Sequence, residues 1–536
     1  MGKDNEIWLA GKAVFLLFFL AFFAAPLLLM LSGAISPGAL ERLAVLISVN
    51  LGVMYNSFFQ AVVSVFFALL FGLPAAYVLA KKDFPFRGLV KSLSMLPFVF
   101  PSILVVLSFV IVLGNNGWVN SFLRWAFGLP EPVNFLYGFS GVVIAHVFYN
   151  FPVVAGLVSS AWESLDSGAE DAARSLGAGK AARFLRITLP QLLPSIAASA
   201  MLVFMYCFMS FTIVLSFGGL RFSTLEVEVY TQAMRNLDFA SASLLALVQF
   251  MLLLAFAGVY WAISRKRRAT SQAAPPAKSP LALFSFAGIL EGSFILLLSL
   301  SVLVPVLSLV LFSFTDPATG GFTIAAFEKV FSSAPSPLGT TPVSAIFYSF
   351  AIASGASLVA TLMALLASLR ETRVKAAAVL LSSSIAVSAI TLGLGYYMAF
   401  GSGSMLVIAL AHSVLAFPFA FFSIRNAVSR LGPEQADSAR TLGAGAIGVL
   451  RRITVPRISG GMASAFSFSF AVSLGELGIV LMLYDGVYAT MPVYIYRLLG
   501  TFSVHSAAAM GLILIFSSMA CFYAVHLFSK GQWRLA

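Results

Sequence analysis

The chain has 536 residues, of which 60% are hydrophobic and 10% are charged; 32 basic and 20 acidic side chains give a formal net charge of +12. With a mean hydropathy of +0.98, most of the chain must be solvated by lipid, which excludes soluble enzymes, disordered chains and disulfide scaffolds. The basic residues lie in short clusters between long apolar runs, so they indicate membrane topology and not a nucleic-acid partner.

Apolar stretches long enough to cross the hydrocarbon layer as helices follow one another along the whole chain. The sequence predicts twelve spans, at 13–33, 56–80, 89–113, 139–161, 194–217, 240–263, 283–314, 343–369, 376–400, 403–424, 459–483 and 506–528. The expected fold class is therefore an all-α polytopic membrane protein with about twelve transmembrane helices. The lipid bilayer is expected to be in contact with these helices.

The distribution of lysine and arginine predicts the orientation, because basic loops resist translocation. If the N-terminus is cytoplasmic, 26 of the 32 basic residues face the cytoplasm. Those that remain outside are Arg42, Arg124, Arg221, Arg235, Lys329 and Arg497. We therefore expect both termini in the cytoplasm.

The chain contains an internal repeat at an offset of 266 residues. DAARSLGAGKAARFLRITLP, from Asp171, matches DSARTLGAGAIGVLRRITVP, from Asp437, with eleven identities in twenty positions and no gap. The expected domains are a first half at 1–269, a cytoplasmic linker at 270–280 and a second half at 281–536. Each half has six spans, an even number, so the halves run in the same direction as a parallel repeat.

The repeated segment lies between the fourth and fifth span of each half and reads as a helix-turn-helix. Asp171 and Asp437 stand early in short helices, where a carboxylate favours the positive end of the helix dipole. Gly177 and Gly443 are predicted to supply the turn, since glycine tolerates left-handed backbone. The following helix is predicted to stop at Pro190 or Pro456, just before the fifth span.

This pattern resembles the EAA loop of permeases of ATP-binding cassette (ABC) importers, whose form is Glu-Ala-Ala, three residues, Gly, nine residues, Ile-x-Leu-Pro. The loops at about 165–190 and 431–456 match it, with Asp in place of Glu. The matching residues are Asp171, Ala172, Ala173, Gly177 and Pro190 in the first loop, and Asp437, Ala439, Gly443 and Pro456 in the second. The resemblance implies a type I importer permease fold and two coupling loops that dock on a cytoplasmic ABC ATPase homodimer.

The same resemblance implies a second partner, an extracytoplasmic substrate-binding protein, and a place in the bacterial inner membrane. Within this family, four segments are most similar in sequence to thiamine permeases. These segments are AHVFYNFP (145–152), SFTIVLSFGG (210–219), TLEVEVYTQAM (224–234) and TMPVYIYRLLG (490–500). The implied substrate is thiamine or its phosphates, with ferric iron as the alternative. No Gly-Lys-Ser/Thr phosphate loop occurs in the sequence, so ATP is expected on the partner subunit and no cofactor on this chain.

A few polar residues inside predicted spans are candidates for the translocation path. Glu476 lies in the eleventh span, where a carboxyl group is costly unless it is paired or lines a wet cavity. It aligns with Ser210 of the first half, and we predict that both line the path or its gate. His146 and His412 are expected to make helix-packing hydrogen bonds, and Glu291 to snorkel or to pair with the basic linker.

Two other classes of protein stay open at this point. An ion-coupled secondary transporter would also suit twelve spans in two parallel halves, but such carriers usually need several intramembrane charges. A membrane-embedded enzyme would need a paired acid and base or a metal cluster, and the sequence indicates neither a catalytic residue nor a metal site. Cys207 and Cys521 lie in apolar stretches and are expected to pack in the core.

Overall fold

The structure is a computed structural model that describes residues 2–532, with gaps at 36–38, 94–99, 167, 220–221, 266–277, 282–283, 333–338, 370–386 and 432–433. Within these residues, ten helices are long and apolar enough to cross a membrane. The chain is an all-α, multi-pass membrane protein, as predicted. Most of the linker at 270–280 and part of the ninth predicted span lie outside the described residues.

The first half begins with a long helix made of α1 (Gly2–Phe19) and α2 (Ala25–Ala34), which are joined by a π-helical segment at Leu20–Ala24. Its further helices are α3 (Ala39–Val49), α4 (Leu51–Lys81), α5 (Arg87–Leu93), α6 (Ser102–Leu113), α7 (Trp118–Phe127), α8 (Phe139–Glu163), α9 (Gly168–Ser175), α10 (Lys180–Arg183), α11 (Leu189–Phe208), α12 (Thr212–Phe217), α13 (Leu225–Tyr230) and α14 (Phe239–Arg265). Two short strands, β1 (Lys82–Asp83) and β2 (Ser279–Pro280), pair in parallel.

The second half has the helices α15 (Phe286–Ser313), α16 (Ala325–Val330), α17 (Pro342–Ser368), α18 (Ala389–Phe400), α19 (Met405–Ser429), α20 (Glu434–Thr441), α21 (Ala446–Val449), α22 (Val455–Leu474), α23 (Gly478–Leu483), α24 (Met491–Gly500) and α25 (Val504–Gln532). Two of the twelve predicted spans are not among the ten long apolar helices. The span at 376–400 is described only in its last part, as α18, and the span at 459–483 is broken into α22 and α23.

The repeat is visible in the bounds of the helices. Each of α8 to α12 begins and ends 266 residues before its counterpart in the series α19 to α23. A π-helical segment precedes the fifth span in both halves, at Phe184–Thr188 and at Leu450–Thr454. The same local sequence therefore produces the same backbone twice.

The chain forms two compact units that each combine segments of both predicted halves. The first unit contains residues 1–46, 228–250 and 310–536, and the second contains 47–227 and 251–309. In the first unit, the rings of Phe15 and Phe19 pack on Phe417, at centroid distances of 5.9 and 4.5 Å. In the second unit, Phe58, Phe208 and Phe256 form an aromatic cluster. Each unit is thus held together by apolar burial.

Candidate functional site: the repeated loops

Each repeated loop is a short helix, a glycine turn and a second helix. Asp171, Ala172 and Ala173 lie in α9, and Asp437 and Ala439 lie in α20. The carboxylates of Asp171 and Asp437 are in the first turns of these helices and are exposed. The helix-turn-helix that the sequence predicted is present in both halves.

The two glycines have the left-handed backbone that was predicted for them. Gly177 has a φ of 82° and Gly443 a φ of 85°. The N–H of the residue after each glycine reaches back to a carbonyl five residues earlier, from Ala178 to Ala173 and from Ala444 to Ala439, both at 2.9 Å. This hydrogen bond closes the end of the first helix and sets the direction of the second.

The prediction that the second helix stops at Pro190 or Pro456 is wrong. The helix from Lys180 continues to Phe208, and each proline is the second residue of the long helix that follows the π-helical segment. A proline inside a helix removes one backbone hydrogen bond, and the π-helical segment directly before each proline is the corresponding irregularity in the helix. The loop is therefore joined to the fifth span of its half by an unbroken helix, which can transmit a movement of the loop into the membrane.

An exposed leucine precedes each turn glycine. Leu176 is 88% exposed and Leu442 is 89% exposed, and the two residues share one position of the repeat. A fully exposed leucine at the tip of a rigid turn leaves apolar surface in water. These leucines were not among the site residues predicted from the sequence, although both occur in the repeated motif Leu-Gly-Ala-Gly.

Ion pairs hold the first loop against neighbouring segments of its own unit. Glu163, at the end of α8, pairs with Arg87 at 2.6 Å, Lys91 at 3.5 Å and Lys278 at 3.7 Å. Glu170 in α9 pairs with Lys81 at 3.8 Å. The residues 266 positions later are Ser429 and Ala436. The carboxylates that anchor the first loop therefore have no counterpart in the second.

Ser210 and Glu476 both lie in short breaks, which interrupt the spans predicted at 194–217 and 459–483. Ser210 stands between α11 and α12, and Glu476 between α22 and α23. The Oε1 atom of Glu476 accepts hydrogen bonds from the N–H groups of Gly478 at 2.7 Å and Ile479 at 3.1 Å. The carboxylate thus caps the start of α23. That Ser210 and Glu476 line one path stays a prediction, and the two residues belong to different compact units.

We expect Glu476→Gln to be mild and Glu476→Ala to be severe for transport. Glutamine keeps an oxygen that accepts from both N–H groups, whereas alanine leaves them unsatisfied at a cost of about 1–3 kcal/mol. Substrate uptake and ATPase activity, measured side by side, should show ATP hydrolysis uncoupled from uptake in the alanine variant. Equal loss of uptake in both variants, with unchanged basal ATPase activity, would contradict this expectation and show that transport requires the ionised carboxylate of Glu476.

The histidines make the packing hydrogen bonds that were predicted. His146 is bonded through Nδ1 to Ser64 at 3.3 Å, and His412 through Nδ1 to Ser473 at 2.8 Å. Glu291 pairs with Lys82, a residue at the end of the second span, at 2.9 Å. Lys82 belongs to β1, which pairs with β2 at the end of the linker.

The cysteines have different surroundings. Cys207 is buried, as expected for core packing, and Cys521 is partly exposed beside Ser467. Within the described part of the chain, no group of three or more His, Cys, Asp or Glu side chains is arranged to hold a metal ion.

Comparison with known proteins extends over most of the chain. Residues 68–269 match the family described as binding-protein-dependent transport system inner membrane component. The thiamine transport system permease protein ThiP of Brucella abortus (strain 2308) is 29% identical over 470 residues, which cover 85% of this chain and 83% of that protein. ThiP of Escherichia coli (strain K12) is 25% identical over 485 residues, covering 87% and 86%.

A shorter match links the chain to iron transport. The ferric transport system permease protein FbpB of Actinobacillus pleuropneumoniae is 32% identical over 211 residues, which cover 39% of this chain and 30% of that protein. These relatives are membrane components of transport systems and not enzymes. The comparisons therefore confirm the predicted resemblance to fused importer permeases.

Proposed function

We propose that this chain, a transport permease of the binding-protein-dependent type, is the membrane component of an ATP-driven importer for thiamine or thiamine phosphates. The assignment of the substrate rests on the length of the similarity, since the thiamine permeases of Brucella abortus and Escherichia coli match 85% or more of the chain. The ferric permease matches less than half of it. Ferric iron is accordingly the second candidate substrate.

The two repeated loops are the proposed coupling elements, and one subunit of an ABC ATPase homodimer would bind each. The exposed Leu176 and Leu442 are suited to apolar grooves, and Asp171 and Asp437 to polar contacts at the rim of such grooves. Closure of the ATPases around ATP would draw the two loops together. Because each loop continues directly into a fifth span, this movement would switch the path between its inward-open and outward-open states.

A binding protein on the other face of the membrane would deliver the substrate. Such an assembly requires both loops on the cytoplasmic side, in agreement with the distribution of lysine and arginine along the sequence. In a bacterial cell, this corresponds to the inner membrane with both termini in the cytoplasm.

Uptake by proteoliposomes tests the proposal. Liposomes would contain the permease, its ATPase and ATP on the cytoplasmic face, with the binding protein outside. We expect ATP-dependent accumulation of labelled thiamine or thiamine pyrophosphate, and none of ferric iron. Accumulation of iron without thiamine would assign the second candidate substrate, and uptake driven by an ion gradient without ATP would contradict an importer of this type.

The orientation predicts which positions a membrane-impermeant thiol reagent reaches in sealed cells. With Cys207 and Cys521 replaced by serine, a single cysteine introduced at Ser175 or Ser438 should stay unlabelled from outside and become labelled after permeabilisation. A cysteine at Asn236, in the proposed outer segment, is the matched control and should react in intact cells. Labelling of either loop position from outside would contradict the proposed topology.

A further inference from the structure

An apolar crevice lies beside the first repeated loop, within the second compact unit. Its volume is about 400 Å³, which falls within the range of about 300–1,000 Å³ that is typical of small-molecule sites. All nine side chains that line it are apolar or aromatic, among them Tyr77 of α4, Trp162 of α8 and Ile196 of α11. Neither the tips of the loops nor the helix breaks give this crevice a role.

Three aromatic rings form one wall of the crevice. The ring centroid of Trp162 lies 5.6 Å from that of Tyr77 and 6.0 Å from that of Phe184. Trp162 is only 6% exposed, whereas Tyr77 is 37% and Phe184 is 40% exposed. The indole is therefore at the inner side of the crevice, and the two other rings are at its mouth.

This aromatic wall belongs to one copy of the repeat. The residues 266 positions after Trp162 and Phe184 are Val428 and Leu450. Both copies nevertheless form the same helix-turn-helix and the same π-helical segment. The fold of the loop does not require the aromatic rings, so they are available for contact with a molecule outside the chain.

The crevice lies where the spans approach the surface of the membrane. Tyr77 is four residues before the end of α4 at Lys81, and Trp162 is one residue before the end of α8 at Glu163. Aromatic side chains next to basic helix ends are typical of the boundary between hydrocarbon and lipid head groups. Leu193 of α11 is 57% exposed, so apolar surface that contacts lipid adjoins the crevice.

Positive charge is in excess beside the crevice. The carboxylate of Glu163 is shared by three basic side chains. Arg183 directly precedes the lining residue Phe184, and Arg186 follows it by two positions. In the described part of the chain neither arginine forms an ion pair, and Nε of Arg183 has no hydrogen-bond partner. Basic pockets between spans at the cytoplasmic side suit anionic lipid head groups.

The indole N–H of Trp162 also has no acceptor among the described residues. Buried N–H groups are nearly always hydrogen-bonded, so this group calls for a partner from outside the chain. The ester oxygens of a phospholipid lie between its head group and its acyl chains. They can accept a hydrogen bond at the boundary where Trp162 lies.

We propose that the crevice binds one acyl chain of an anionic phospholipid. The chain lies against Tyr77, Trp162 and Phe184, and the phosphate lies at Arg183 and Arg186. This inference goes beyond the proposed transport function, and only the choice of the cytoplasmic leaflet rests on the proposed orientation. A lipid bound in this way fills the space between the second span, the fourth span and the segment that joins the first loop to the fifth span.

Quenching of tryptophan fluorescence by phospholipids with brominated acyl chains tests the proposal. The permease would keep Trp162 as its only tryptophan, with phenylalanine at the other tryptophan positions, and would be reconstituted with and without its ATPase. Because Trp162 is almost fully buried, only a chain inside the crevice touches the indole. We expect brominated phosphatidylglycerol, which is anionic, to quench at lower mole fractions than brominated phosphatidylcholine, in both the presence and the absence of the ATPase.

Variants of the crevice provide matched controls. Ile196→Phe narrows the crevice and should reduce the quenching. Leu193→Phe adds the same ring at an exposed position of the same helix and should leave the quenching unchanged. Arg183→Gln and Arg186→Gln should each lower the preference for phosphatidylglycerol roughly fivefold, as expected for the loss of one basic side chain at an anionic lipid surface.

Trp162 that is not quenched by either lipid would overturn the proposal, and so would equal quenching by both lipids. Equal quenching of Ile196→Phe and the unmodified protein would also overturn it. Loss of quenching when the ATPase is added would replace the lipid by a protein contact. The proposed function is tested separately by substrate uptake, which none of these results decides.

Discussion

Replacement of Gly177 or Gly443 by valine is expected to abolish ATP-driven uptake while the protein still inserts into the membrane. Both glycines have a positive φ, and a β-carbon added at either would meet no atom within 4 Å. The penalty is therefore conformational and not a clash. Left-handed backbone costs a non-glycine residue about 1–2 kcal/mol, and a β-branched residue is a still poorer fit. The turn would relax, and the loop would present its tip in the wrong direction.

A series of variants separates this effect from general damage to the loop. Gly177→Asn should retain much of the uptake, because asparagine tolerates the left-handed region. Gly448→Val is the matched control in the second loop, since Gly448 lies inside α21 with open space around it and an ordinary helical backbone. Uptake would be measured with labelled substrate, and membrane insertion by the amount of protein in the membrane fraction. Full uptake by both glycine-to-valine variants would show that these loops are not the coupling elements.

Replacement of both Leu176 and Leu442 by aspartate is expected to release the ATPase from the permease. Each leucine is nearly fully exposed at the tip of its loop, and burial of a leucine side chain at an interface contributes about 2 kcal/mol. Aspartate loses this contribution and adds the cost of removing a charge from water. The dissociation constant for the ATPase should rise at least about tenfold for each altered loop.

The stability of the permease should not change, because neither leucine packs in its core. Co-purification of the ATPase with each single variant and with the double variant measures the loss. Leu176→Met with Leu442→Met keeps the apolar surface and serves as the control. Undiminished co-purification with the double aspartate variant would place the docking contact elsewhere.

Local sequence signals were enough to predict the repeated loops. In each repeated segment, a glycine was predicted to end the first helix, and Gly177 and Gly443 both have the left-handed backbone in the structure. The eleven identities in twenty positions also predicted that the elements would recur, and the helices from α8 to α12 do recur with the same offset. These features depend on neighbours in the chain, which a sequence displays directly.

Other features of the fold were not predicted from the sequence. Hydropathy indicated one span at 459–483, but the chain breaks there and Glu476 caps the helix that follows. The exposure of Leu176 and Leu442 is likewise a property of the folded loop, because apolar residues of the same type fill the core elsewhere.

The position of the first helix was not predicted either. It packs through Phe15 and Phe19 on Phe417 of the second half, within one compact unit. An apolar helix shows in its sequence that it is buried in lipid or protein, but not which neighbour it contacts.

The number of ATPase subunits bound to one permease chain tests the central claim most directly. If the two repeated loops are equivalent docking elements, the complex purified in detergent should contain two ATPase subunits for each chain, measured by mass. A single aspartate substitution, at Leu176 or at Leu442, should weaken this complex, and the double substitution should leave the permease alone. A stable complex with one ATPase subunit, or none with the unmodified chain, would contradict the account.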